Sequence, residues 1–295
     1  MRGIYPMLYA FFDEGGALRR DAFAPQVEAA IANGADGVAV LGLGTEGPQL
    51  TAAERGQVVD WVAESLNGRI PLAVTVSGAT IDEQADFARY ARRCGAAWLI
   101  LQPPPRQMPD SELRAFFGRV ADRLDCAVAV QNAPQFLGYG LSISDLLALH
   151  VAHPNICAVK AETSAVEMRD LVQSFDGRLA AFNGRAGLEL TDNLRAGVAG
   201  MIPGVETLDL QVRCAKLMAQ GREEEAESIY RCVLPAVTFI MQGVAHFVTY
   251  GKYLASLRLG LEGGMRNRTG LSVKSFGEEI AARFARDLGA LSVSV

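Results

Sequence analysis

The stretch Ile156-Cys157-Ala158-Val159-Lys160-Ala161-Glu162-Thr163 decides how the rest of the chain is read. Ile156 to Val159 is an apolar run with two β-branched residues, the length of a short buried strand. It closes on a lysine, and polar Glu162, Thr163 and Ser164 follow at once. Lysine is seldom fully buried without a partner or a purpose. Two readings of Lys160 stand on this stretch alone. Its stem lies along apolar surface and carries the ammonium out to water, or burial favours the neutral amine, which attacks a ketone and forms a Schiff base.

Working outward, the same succession of apolar run, turn and amphipathic helix recurs on both sides. Upstream, runs at Ile4–Phe12, Gly37–Leu41, Ile70–Val76, Trp98–Leu101 and Ala127–Val130 read as strands. Downstream, Leu179–Phe182 and Gly197–Ile202 complete the set. The intervening helices carry their own punctuation. Thr51 with Glu54 spells a capping box, and Asn33-Gly34 and Asn67-Gly68 spell helix ends. Eight such units with short connections and no hairpin signal predict a parallel sheet, and eight units close into a barrel. The competing open, doubly wound sheet loses ground because no G-x-G-x-x-G follows the first strand. Helical patterns continue at Arg222–Leu234, Pro235–Leu259 and Ser275–Leu288. The expected organisation is therefore a (β/α)8 barrel over residues 1–221, with a helical extension over 222–295 packed on it.

The 295 residues are half hydrophobic, and their net charge of −5 speaks against a nucleic-acid or anionic-membrane partner. Five scattered cysteines, with no CxxC pair, predict neither a disulfide framework nor a zinc site, and fit a reducing cytoplasm. No run approaches the length of a membrane span and no signal-peptide pattern opens the chain. His150, His153 and His246 lack metal-ligand spacing and read as structural.

In a closed barrel of this kind the active site lies at the C-terminal ends of the strands. That rule selects Gly42–Gly47, Thr75 and Ser77, Gln102–Pro105, Gln131 and Asn132, Lys160–Thr163, Asn183–Arg185 and Ile202-Pro203. In this set Lys160 is the only lysine, Glu46 and Glu162 are the only carboxylates, and histidine and aspartate are missing. A hydrolytic triad has no members here, and two glutamates are too few for a metal site. Schiff-base chemistry asks only for a lysine, an anion cradle and a proton carrier, with no cofactor. The Gly42–Gly47 turn either cradles a carboxylate through Gly44 and the Thr45 hydroxyl, or uses its glycines for geometry alone. Glu46 is expected to lock that loop. Glu162 shares the pocket with Lys160 if the strand stays extended, and is then a candidate base; otherwise it pairs with a basic residue outside. Asn183, Gly184 and Ile202 complete the candidate substrate-binding set.

GLGTEGPQL (42–50), VQNAPQFLG (130–138) and AVKAET (158–163), in that order, resemble the dihydrodipicolinate synthase / N-acetylneuraminate lyase family of class I aldolases and dehydratases. The resemblance covers essentially the whole chain. It implies an eight-stranded barrel, usually a homotetramer, in which Lys160 forms a Schiff base with pyruvate or another 2-oxo acid. The departures are informative. The hydroxyls that the family's G-T/S-T-G-E loop would place at positions 43 and 44 are absent. Its proton-shuttling tyrosine falls on Gln131, its following arginine on Phe136, and the second tyrosine of the fourth-strand loop on Pro105. These speak against synthase and ordinary sialic acid lyase activity. Gln131-x-Ala133-Pro134 combined with Lys160-x-Glu162-Thr163 is similar to the branch that dehydrates 2-keto-3-deoxy sugar acids, L-2-keto-3-deoxyarabonate among them. The expected function is thus a Schiff-base hydro-lyase of this branch, with Lys160 as nucleophile, Gln131 orienting and Glu162 as candidate base. Retro-aldol release of pyruvate is one alternative, and a non-catalytic 2-oxo-acid sensor on the same scaffold is another.

Overall fold

In the computed structural model, which describes residues 1–261, 266–269 and 271–292, the apolar runs form eight parallel strands. They are β1 (Gly3–Ile4), β2 (Val38–Val40), β3 (Leu72–Val76), β4 (Trp98–Leu101), β5 (Ala127–Asn132), β6 (Ile156–Ala161), β7 (Ala180–Asn183) and β8 (Gly200–Met201). Their pairing order is β1-β8-β7-β6-β5-β4-β3-β2. The ring closes just beyond β1, where Met7 bridges both Ala39 and Gly204. There the Leu8 amide donates to Ala39 O and the Ala39 amide to Pro6 O, each at 2.9 Å. The chain is therefore a (β/α)8 barrel.

The helices follow in turn: α1 (Phe23–Ala32), α2 (Ala52–Leu66), α3 (Ile81–Arg93), α4 (Asp110–Ala121), the single turn α5 (Pro134–Leu137), α6 (Ile143–Ala152), α7 (Ala165–Phe175), α8 (Leu190–Ala196) and α9 (Leu208–Ala219). The Thr51–Glu54 capping box is present, and Thr80–Glu83 and Ser164–Glu167 form two more. Beyond the barrel run α10 (Glu223–Ile240), α11 (Val244–His246), a π turn at Phe247–Gly251, α12 (Lys252–Leu259) and α13 (Ser275–Leu288). Residues 262–265, 270 and 293–295 of the expected extension lie outside the described residues.

Three expectations are corrected. Ile4–Phe12 is not one strand: Pro6 has no N–H to give to the ladder, and the regular strand stops at Ile4, with Met7 alone bridging to both neighbours beyond it. The eighth strand is shorter than Gly197–Ile202, because Gly197 adopts φ +91° as the left-handed cap of α8. Pro235 does not begin a helix. It lies inside α10, whose buried face at Val233, Ala236 and Val237 continues across it. One backbone bond is lost there and the apolar face keeps the helix whole.

Strand alternation sorts side chains into two cores. Outward residues such as Val74, Leu99, Val130 and Val159 pack under the helices. Inward ones form a separate cluster in which Tyr5, Trp98 and Phe182 meet four alanines, Ala39, Ala73, Ala129 and Ala158. The Trp98 ring lies 5.3 Å from Tyr5 and 5.2 Å from Phe182, centroid to centroid. Small residues on neighbouring strands make room for this aromatic plug, so the barrel interior is solid.

The extension is tied to the barrel by buried charge. Lys252 on α12 has a fully buried side chain and its Nζ donates to Glu46 Oε1. Glu46 Oε2 accepts from the Arg268 amide at 2.5 Å, and both cations stand over the Phe12 ring, Lys252 Nζ at 4.9 Å and Arg268 Cζ at 4.4 Å from its centroid. Arg258 donates to Glu206 O at 2.7 Å, to both Asp209 oxygens and to the carbonyls of Leu288 and Gly289. No single helix among the described residues is long and apolar enough to cross a membrane.

Lys252→Met leaves the Glu46 carboxylate buried and uncompensated, so a loss of about 3–5 kcal/mol is expected. A guanidinium titration that returns less than about 1 kcal/mol, the size of a surface pair, contradicts this. Glu206 is fully buried, accepts from the Tyr9 hydroxyl at 2.8 Å, and is pushed by burial up to about 7. Between the usual 4.5 and about 7 the unfolded chain has lost this proton and the folded chain keeps it. Stability should therefore fall as pH rises through that window, by at most about 1.4 kcal/mol per pH unit. Glu206→Gln should flatten the curve, read as urea midpoints from pH 5 to 7.

Candidate active site

Alternation along β6 carries Ala158, Lys160 and Glu162 to the barrel interior, above the aromatic plug. Lys160 is 4% exposed and Glu162 8%. Lys160 Nζ donates to Glu162 Oε1 at 2.8 Å. The other carboxylate oxygen accepts from Gln131 Nε2 at 3.2 Å, and Gln131 Oε1 accepts from Gln102 Nε2 at 3.1 Å. Register explains the convergence, since Gln131 pairs directly with Lys160 across β5 and β6. Gln102 is itself held, its carbonyl accepting from buried Gln84 at 2.9 Å. With both ends engaged, the Gln131 amide has one orientation, its NH2 toward Glu162.

Gly184, the residue after β7, leaves the space that Glu162 fills. A Cβ on it would stand 2.7 Å from Glu162 Oε1. The next two residues, Arg185 and Ala186, take φ of +55° and +51°. Left-handed backbone at non-glycine residues is costly and collects at functional loops. Leu41 and Glu46, at φ +65° and +54°, bracket the glycine-rich turn in the same way. Gly47 is obligatory there, because a Cβ would come within 2.1 Å of Leu41 O.

A cavity opens above Lys160 and Glu162. Met7, Leu43, Gly44 and Ile202 line it from the barrel, and Phe136, Arg185 and Ala186 from the loops after β5 and β7. Met241, Val244 and Phe247 reach in from the extension. Among the described residues the Leu43 and Gly44 amides find no backbone acceptor, and both residues line the cavity. Arg185 Nη1 donates to Thr163 O at 2.9 Å and to Glu189 at 2.8 Å.

Of the residues expected at the site, Lys160, Glu162, Gln131, Gly44, Gly184 and Ile202 converge at or beside this cavity. Thr45 does not contribute a donor. Its buried hydroxyl donates to Leu8 O at 2.6 Å and accepts from the Leu41 amide at 2.9 Å, so it shapes the loop. Asn183 is also occupied, donating to Thr163 O and Asn193 Oδ1 and accepting from the Gly184 amide, each at 2.8 Å. It braces the loop that carries Gly184. Met241, Val244 and Phe247 had not been anticipated. They lie in a helical region with no strand end to mark them, and only the packing of the extension brings them to the cavity.

Gly184→Ala should displace the Glu162 carboxylate and also cost stability, because φ −110° with ψ −114° lies outside the backbone regions an alanine favours. The expected outcome is a fall of roughly tenfold or more in the rate of imine formation at Lys160. It is read by borohydride trapping with pyruvate beside an unchanged circular dichroism spectrum; a wild-type trapping rate would show that the carboxylate position does not matter.

The model of the dihydrodipicolinate synthetase family matches residues 1–261 of the chain. An L-2-keto-3-deoxyarabonate dehydratase of Azospirillum brasilense is 27% identical over 243 residues, covering 80% of this chain and 78% of that protein. A 4-hydroxy-tetrahydrodipicolinate synthase of Methanococcus maripaludis strain C5 is 24% identical over 237 residues, covering 80% and 81%. Among solved structures, the prophage protein YagE of E. coli K12, of the dihydrodipicolinic acid synthase family and in complex with pyruvate, superposes with a TM-score of 0.90 at 22% identity over 98% of both chains. That likeness establishes the fold.

Proposed function

Since the chain belongs to the dihydrodipicolinate synthetase family, we propose that it is a Schiff-base hydro-lyase that dehydrates a 2-keto-3-deoxy sugar acid. The observation that carries this reading is the buried contact of Lys160 Nζ with Glu162 Oε1, 2.8 Å, with the carboxylate steadied by a non-titrating Gln131. Similarity to the Azospirillum brasilense dehydratase supports the same choice.

Glu162 takes a proton from the Lys160 ammonium, and the free amine adds to the C2 ketone. Loss of water from the adduct gives the protonated imine. Its positive charge acidifies C3, and Glu162, returned to the carboxylate, removes a C3 proton to give the enamine. The enamine expels the C4 hydroxyl, which leaves as water with the proton that Glu162 holds. Hydrolysis of the conjugated imine then frees Lys160 and releases a 2-oxo-3-enoate. The carboxylate of the substrate lies on the amides of Leu43 and Gly44. Gln131 moves no proton in this sequence, because an amide does not titrate. It keeps Glu162 aimed at Lys160 and C3. Retro-aldol cleavage would need a base on the C4 hydroxyl; the carboxylate here is hydrogen-bonded to Lys160, which favours acid–base work at C2 and C3.

With a panel of 2-keto-3-deoxy acids, borohydride should fix an adduct to the peptide containing Lys160, and Lys160→Ala should abolish it. Glu162→Gln should still bind substrate while losing roughly 10²- to 10⁴-fold in kcat. Pyruvate released in stoichiometric amount would replace the hydro-lyase reading with an aldolase, and ligand binding without any trapped adduct would leave a sensor. A homotetramer belongs to the same proposal, with light scattering to give four times the 31.6 kDa of one chain.

A further inference from the structure

Besides Lys160 and Glu162, Arg185 is the charged side chain that lines the cavity, and only part of it is in use. Its Nη1 donates to Thr163 O at 2.9 Å and to Glu189 Oε2 at 2.8 Å. Nε and Nη2 have no partner among the described residues, and the side chain is 23% exposed. A guanidinium held by one nitrogen still offers two other donor nitrogens in a fixed plane. The loop sets where they stand. Arg185 takes left-handed backbone at φ +55°, Ala186 O accepts from buried Gln211 Nε2 at 2.9 Å, and Gly187 O accepts from the Tyr230 hydroxyl at 3.2 Å. A non-glycine residue keeps such backbone only where its surroundings over-determine it. The acid–base steps at C2 and C3 give Arg185 no task.

Around the ring, β7, which leads into Arg185, pairs with β6, which carries Lys160, and the glycine-rich turn after β2 stands across β8 and β1. A substrate with its carboxylate at Leu43 and Gly44 and C2 over Lys160 leaves its carbons beyond C4 to the rest of the lining. There Phe136, Met241, Val244 and Phe247 offer no donor, and the Arg185 guanidinium does. Charges around the cavity cancel in pairs, Lys160 with Glu162 and Arg185 with Glu189, each at 2.8 Å. Neither pair leaves a cation over for a second carboxylate, whereas a hydroxyl needs only a donor. We propose that Arg185 determines specificity: its Nε and Nη2 donate to hydroxyl oxygens beyond C4, so the enzyme takes a sugar acid whose far end is hydroxylated and uncharged. This rests on the Schiff-base hydro-lyase reading and names the end of the substrate which that reading leaves open.

The test uses three acids of equal length that differ only at C5. 4,5-Dihydroxy-2-oxopentanoate ends in hydroxymethyl, 4-hydroxy-2-oxopentanoate in methyl, and 4-hydroxy-2-oxoglutarate in a carboxylate. Each is first trapped on the wild-type enzyme with borohydride, and kcat/KM is then measured from the conjugated product. The hydroxymethyl acid should be preferred to the methyl acid by roughly 10- to 100-fold, the size of a hydrogen bond to a charged donor where water can replace a lost partner. It should also be preferred to the diacid. Arg185→Met removes the donors and Arg185→Lys keeps the charge without the planar pair, so in both the hydroxymethyl-to-methyl ratio should collapse toward one. A residue that only ties the loop to Thr163 would lower kcat/KM for both acids alike and leave that ratio unchanged. An unchanged ratio in the variants, equal use of the two acids by the wild type, or preference for the diacid overturns the role of Arg185 and leaves the Schiff base standing. Failure of the wild type to trap pyruvate or any of the three acids overturns the parent reading, and this one with it.

Discussion

The carboxylate of Glu46 holds together two parts of the chain that lie 206 residues apart in sequence. It is fully buried, accepts from Lys252 and from the Arg268 amide, and stands in left-handed backbone at φ +54°. Burial alone would drive the Lys252 ammonium toward its neutral form, and Glu46 opposes that. A pair like this gives little net stability against a hydrocarbon substitute, but removing one half of it is costly. Its consequence is positional. The same residue sets the path of the glycine-rich turn that carries Leu43 and Gly44, and anchors the segment leading from Met241, Val244 and Phe247. The cavity has walls from both sides because these two segments are fastened to each other.

Beneath the cavity, the barrel interior divides by layer. Tyr5, Trp98 and Phe182 fill the lower layer against four alanines, and one step along the same strands stand Thr75, Gln102, Gln131 and Lys160. The plug keeps water from reaching Lys160 from below. The glutamines above it satisfy one another and Glu162 without adding charge. In a low-dielectric setting a neutral hydrogen-bonded chain is an inexpensive way to aim a carboxylate. The chain thus ends on the buried contact between Lys160 and Glu162. In the proposed mechanism the carboxylate two residues beyond Lys160 takes the proton-carrying place that a tyrosine at position 131 would hold.

Much of this was legible in the sequence. Strand periodicity, capping boxes such as Thr51–Glu54 and the Asn-Gly helix ends are local signals, set by sterics and hydrogen bonding within a few residues, and they gave eight strand–helix units and hence the barrel. The place of Lys160 at a strand end was legible for the same reason, whereas Glu162 faces the pocket only if the chain stays extended past Lys160, which the sequence left open. Gln131 could be placed at a strand end, but its partners could not, since the register between β5 and β6 is a contact between distant segments. Thr45 and Asn183 show the converse. Their residue types suit a ligand, but whether a hydroxyl or amide faces a ligand or the backbone beside it depends on loop geometry that no local pattern encodes.

The sequence by itself thus determined the barrel and the place of Lys160 at the end of its sixth strand, because both follow from the short-range period of a strand. Only the tertiary structure decided what surrounds them. Glu46 meets Lys252, Gln102 meets Gln131, and Met241, Val244 and Phe247 arrive over the cavity through packing between segments far apart in the chain. Contacts of that kind are set by how buried surfaces and charges are jointly satisfied, and no window of sequence contains both partners.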